Sequence, residues 1–148
     1  VLEIEGRETY RVWGYGVIDT PRARPLADRV LFLARELRAI IDRERPGEAA
    51  VEDLFIAKNS RTAASVGHGR GVILLTLAEA GLPITEYNPR QVKVALTGYG
   101  AADKSQMQNM VQRLLRLKEI PKPDDAADAL AIALCHINSA SFLAGARA

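Results

Sequence analysis

The chain has one cysteine, Cys135, and two histidines, His68 and His136, in 148 residues. A lone thiol closes no internal disulfide. Two histidines far from any cysteine pattern do not form a zinc-binding motif. No run of eighteen or more apolar residues occurs, so no segment is expected to span a membrane, and no signal peptide is visible. These absences lead to the expectation of a reducing, cytoplasmic setting without a membrane partner. There is also no internal repeat, low-complexity tract or long linker. Length and an apolar content of 48% suit a single domain over residues 1–148 with a sizeable core. The chain opens on Val1 rather than Met, and residues ahead of it are expected.

Charge is unevenly spread although the net value is only +2. Residues 1–52 carry nine Arg and ten acids, and residues 53–123 carry ten Lys or Arg against five acids. From Asp124 onward there are three aspartates and one arginine. A basic middle beside an acidic cluster suits a phosphate polymer held by cations. An ordinary solvated surface with patchy charge would give the same counts.

The residue pattern alternates strands and helices. Residues 11–19 (RVWGYGVID) read as a strand, and residues 1–5 as the tail of another. Apolar residues at 26, 30, 33, 37 and 40/41 have helical spacing, and Pro46-Gly47 ends that run. Residues 49–55 (AAVEDLF) read as a short strand, 60–80 as a helix stopped by Gly81, and 83–87 as a strand. Asn88-Pro89 marks a helix start, with Asn as cap and Pro in the first turn. That helix should end near Gly98, and Asp103 or Ser105 should open the next. A last helix is predicted from about Asp124 to Phe142. The alternation argues for an α/β domain with helices packed on a sheet.

Two stretches carry candidate chemistry. In PDDAADALAIALCH, Asp124 and Asp125 lie one turn above Asp128 on a helical face. Helix capping accounts for Asp124 and serves adequately for Asp125. Asp128 sits a full turn inside an otherwise apolar helix, where a lone carboxylate is costly unless a cation or metal pairs with it. In AAVEDLF, Glu52 stands in or at the end of an apolar strand, a position that disfavours Glu. A solvent-facing edge would explain it equally simply. If strand and helix bring these acids together, hard oxygen ligands without a His/Cys cluster suit Mg²⁺, or Mn²⁺, rather than zinc. Two such ions suit phosphodiester hydrolysis.

Several separated blocks agree in order and spacing with a known family. VEDLFIAKNSRTAASVGHGRGV (51–72), EYNPRQVKVALTGYGAADKSQMQNMV (86–111), PDDAADALAIALCH (123–136) and GYGVIDTP (14–21) together resemble the RuvC Holliday junction resolvases, bacterial endonucleases with an RNase H-like fold. The resemblance covers essentially the whole chain. It implies an RNase H-like mixed sheet flanked by helices, and metal-dependent resolution of four-way DNA junctions in recombination and repair. It further implies two Mg²⁺ ions per site, a homodimer, and the branch-migration proteins of the Ruv system as partners. Of the family's four active-site acids, the second matches Glu52 and the last two match Asp125 and Asp128, leaving Asp124 as the cap. The first belongs to a central opening strand with a G-I-D-P-G pattern that this sequence does not contain. The resemblance therefore leads us to expect an N-terminal truncation of roughly one strand, with impaired metal binding.

The same resemblance places Phe55 near the junction centre, and Lys93 and Lys104 along the DNA path, with Lys93 near the scissile phosphate. Phe55 would serve equally well as a core residue, and either lysine as an exposed helix residue. Arg61, Arg70 and Arg90 are weaker candidates for phosphate contacts. The small residues of 63–71 would allow close helix approach across a dimer interface. A nuclease for other branched DNA, a DNA-binding module without catalysis and a structural α/β domain are the competing readings.

Overall fold

The computed structural model describes residues 1–5, 9–53 and 63–145, the last six of these by backbone alone. Its contacts group the chain into two compact units. One comprises Val1–Val17, Ala50–Asp53 and Thr85–Ala148, and the other Ile18–Ala49 and Leu54–Ile84.

In the first unit, β1 (Leu2–Glu5) pairs antiparallel with β2 (Thr9–Val12), placing Leu2 opposite Val12 and Glu3 opposite Arg11. The strand predicted over residues 11–19 is shorter and begins earlier. The ladder ends with the Trp13 N–H donating to the Val1 carbonyl, where the partner strand ends, and residues 13–20 take no regular structure. On this pair Arg11 bridges to Glu5 at 2.6 Å and lies 5.5 Å from the centroid of the Trp13 ring.

A second pair joins β3 (Ala49–Glu52) to β4 (Ile84–Tyr87). The Ala49 N–H donates to Pro83 and the Asp53 N–H to Tyr87, so both strands advance in the same direction. Among the described residues the strands form these two separate pairs rather than one continuous sheet.

Three helices complete the first unit: α3 (Pro89–Thr97), α4 (Lys104–Leu114) and α5 (Asp124–Gly145). α3 and α4 begin with the same device. The Asn88 side chain accepts from the Gln91 N–H while the Gln91 side chain accepts from the Asn88 N–H, each at 2.9 Å. Asp103 and Gln106 repeat this reciprocal pair at 2.8 and 2.9 Å, satisfying backbone donors that a helix start otherwise leaves unpaired. Gly98 closes α3 at φ 71°, its N–H donating to Val94. Such a left-handed closure favours a residue without Cβ.

α3, α4 and α5 share one apolar core. Val111 and Leu134 are fully buried, and Val92, Leu96, Met107, Leu130 and Cys135 pack around them. α5 presents Ala126, Ala127, Leu130, Ala131, Leu134 and Cys135 to this core and leaves Asp124, Asp125, Asp128 and Ala129 exposed. It is therefore one-sided rather than buried all round. Farther along, Tyr87 Oη lies 3.0 Å from His136 Nδ1, with the two rings edge to face at 5.8 Å.

The second unit is built on α1 (Leu26–Glu44) packed against α2 (Ala63–Glu79). Arg45 terminates α1 in the left-handed region, one residue before Pro46. Ile41, Thr76 and Leu77 are buried, and Arg38 bridges to Glu79 at 3.1 Å. The predicted start of α2 at Ser60 lies outside the described residues. Among the described residues no helix is long and apolar enough to cross a membrane.

Candidate active site

An open cleft of about 220 Å³ in the first unit is lined by Glu52, Lys93, Lys104 and Asp128, with Pro89, Val92, Met107, Ala131 and Ile132 as its apolar wall. Four elements supply the charged groups. β3 ends on Glu52, α3 carries Lys93, α4 opens with Lys104, and α5 carries Asp128 one turn from its start.

Asp128 stands at the exposed rim of the cleft and not in the buried setting read from its apolar neighbours. The wall still acts on it. Loss of water around the charged form pushes its carboxyl above the usual aspartate value; Lys104 opposes this, and the charges of Asp125 and Asp124 add to it. Asp125 is exposed and does not line the cleft, although its charge acts on both Asp128 and Lys104.

Asp124 does something other than cap. It lies inside the first turn of α5, and both of its oxygens are engaged from α4. Lys104 Nζ reaches Oδ2 at 2.8 Å, and Gln108 Nε2 donates to Oδ1 at 3.0 Å. The bond from Lys104 is the main cause holding the Asp124 carboxyl below its ordinary value, with Gln108 second. The same bond raises the Lys104 ammonium above its own. Sequence reasoning missed the Gln108 arm. The visible signal was its spacing of four from Lys104 on one helix face.

The structure thus brings together Glu52, Asp128, Lys93 and Lys104 and leaves Asp125 outside the cleft wall. Phe55 and Arg61 lie outside the described residues. Among the described residues no three His, Cys, Asp or Glu side chains gather as a metal site. Two carboxylates with no imidazole or thiolate in the lining nevertheless fit a hard cation. Magnesium is commonly held by one or two protein carboxylates, with water and substrate phosphate completing its shell. Two lysines on the same cleft suit an anionic substrate. Together these groups suit cation-assisted chemistry on a phosphate ester.

Comparison with known proteins places that chemistry in a family. The family profile described as Crossover junction endodeoxyribonuclease RuvC matches residues 1–136. A protein of that name from Roseiflexus sp. (strain RS-1) is 55% identical over 128 residues, which is 86% of this chain and 76% of the relative. Another from Desulfitobacterium hafniense is 50% identical over 143 residues, covering 97% of this chain and 86% of the relative. Among solved structures, Thermus thermophilus RuvC in complex with Holliday junction substrate superimposes with a TM-score of 0.89. It is 37% identical, with 95% of this chain and 86% of that chain covered. The chain belongs to the RuvC family of crossover junction endodeoxyribonucleases, and its fold is RNase H-like.

Proposed function

We infer that this protein is a divalent-cation-dependent endonuclease that resolves four-way DNA junctions by phosphodiester hydrolysis. The observation that carries the reading is the convergence of Glu52 and Asp128 with Lys93 and Lys104 on one open cleft. The family supplies the substrate class.

In the finer proposal the cation is Mg²⁺, two per site, with Glu52, Asp125 and Asp128 as ligands. When bound, such ions activate water and neutralise charge at the phosphate. The chain's own groups do the rest. The carboxylates of Glu52 and Asp128 attract and hold the cation. Lys93 binds a phosphate oxygen and stabilises charge that grows there during cleavage. Lys104 holds the backbone alongside. Phe55, from the family resemblance, would act at the junction centre.

We also propose a homodimer, whose two-fold symmetry matches that of the junction. Leu31 on α1 and Val66 and Leu75 on α2 are exposed apolar residues that a second copy would cover. The branch-migration proteins of the Ruv system are proposed partners by resemblance.

Because Asp125, one of the three expected ligands, does not line the cleft, a second reading has support: a module that binds junctions without cutting them. Cleavage of a synthetic four-way junction in Mg²⁺ separates the two. The nuclease reading expects cutting by the protein, and loss of cutting with retained binding in Glu52→Gln. Tight junction binding with no cutting at any Mg²⁺ concentration would favour the second.

A further inference from the structure

We propose that Asp124 is a positioning residue for the nuclease reaction, holding the Lys104 ammonium at the cleft that carries Glu52 and Asp128. The proposal rests on the nuclease reading and extends it to a residue outside the cleft wall.

Lys104 is the first residue of α4, where the helix dipole disfavours a cation. Its neighbour Asp103 uses one carboxylate oxygen for the helix cap through the Gln106 N–H, and the ion pair of Lys104 is made with Asp124 instead. The lysine also has a long, freely rotating stem, which alone would leave its charge spread over the surface. Asp124 removes that freedom. It sits at the start of α5, where an acid is favoured, and receives Lys104 at 2.8 Å. Gln108, one turn along α4, fixes the other carboxylate oxygen at 3.0 Å. With both oxygens engaged, the carboxylate has a defined orientation, and the lysine it holds lines the same cleft as Glu52 and Asp128.

A purely structural role accounts poorly for this arrangement. α4 and α5 are already joined through Met107, Val111, Leu134 and Cys135. Lys104 and Asp124 are 55% and 60% exposed, and exposed ion pairs add little to stability. Placement of a cation beside a reacting phosphate, in contrast, is sensitive to small displacements, and such misplacement can cost on the order of 100-fold in rate.

The test uses the full chain and a synthetic four-way junction under single-turnover conditions with Mg²⁺. Asp124→Asn is expected to slow cleavage by about tenfold while junction affinity is unchanged or tighter. Asp124→Glu should restore most of the rate. In a Lys104→Gln background, Asp124→Asn should have no further effect, because the acid acts through the lysine. A wild-type rate in Asp124→Asn, or the same loss with and without Lys104, overturns the proposal. NMR of the lysine ammonium groups in the DNA-free protein gives a reading independent of cleavage. A distinct Lys104 Nζ signal should be present in the wild type and collapse in Asp124→Asn, and an unchanged signal overturns the proposal. If the wild-type protein does not cut, the nuclease reading falls and the ammonium signal alone decides whether Asp124 positions Lys104.

Discussion

The Tyr10 hydroxyl donates to Asn138 Oδ1 at 2.6 Å, joining β2 to α5 across 128 positions of sequence. The contact is half-buried, so losing the donor leaves an acceptor only partly reachable by water. Tyr10→Phe keeps the ring and removes the bond, and it should cost about 1 kcal/mol of stability. Urea unfolding should show a lower midpoint with an unchanged slope. An unchanged midpoint would mean that water replaces the hydroxyl without loss.

Such long-range ties are what the sequence conceals. Local devices were legible because their chemistry is local. Asn88 and Gly98 stand where the residue pattern puts helix ends, and of the two starts open for α4, Asp103 and Ser105, the structure takes Asp103 as the cap. The strand over residues 11–19 was misjudged because alternation reports β tendency, whereas a strand persists only as far as its partner does. Glu52 and Asp128 were readable as acids in apolar surroundings, and both line the cleft. Asp124 was not readable. Acids at a helix start serve the dipole, a cap or a distant cation equally well, and only the position of α4 decides among these.

Asp128 gives a pH-dependent prediction. Partial loss of water beside the apolar wall is the main reason its carboxyl is raised; Lys104 opposes the shift, and Asp125 and Asp124 reinforce it. An acid raised on folding binds its proton more tightly in the folded state. Stability attached to it is therefore lost as pH rises from the ordinary value of 3.8 through the raised one, and the penalty persists at neutral pH. With a chelator present, Asp128→Asn should be more stable than the wild type at pH 7. The advantage should fade as pH falls below the ordinary aspartate range. Mg²⁺ should reverse the order, because only the wild type gains from binding. Thermal melts across pH with chelator and with Mg²⁺ check both signs.

Gly98 isolates a backbone effect. Its φ is 71°, and a Cβ built there meets nothing within 4 Å. Gly98→Ala should therefore cost only the left-handed strain, about 1 kcal/mol, with Gly98→Asn less affected. Gly47 is equally open, with no positive φ, so Gly47→Ala is the control and should be nearly neutral. Equal effects at the two positions in denaturant unfolding would count against the strained closure of α3.

Lys93 tests the polarity of the cleft toward DNA. It lines the same cleft as Glu52 and Asp128, and its ammonium is the group proposed to meet a phosphate oxygen. Each phosphate contact releases condensed counterions, so Lys93→Gln should weaken junction binding similarly across sequences. It should also reduce the slope of log affinity against log salt by about 1. Removing a cleft acid has the opposite sign: Asp128→Asn takes away repulsion and should tighten binding in the absence of divalent cations. Binding measured over a range of salt with both variants distinguishes a phosphate contact from a general loss of positive charge. Loss of a contact also removes a hydrogen bond, so part of the weakening persists at high salt, where the effect of a distant charge is screened away. A Lys93→Gln slope equal to that of the wild type would remove Lys93 from the DNA-binding surface.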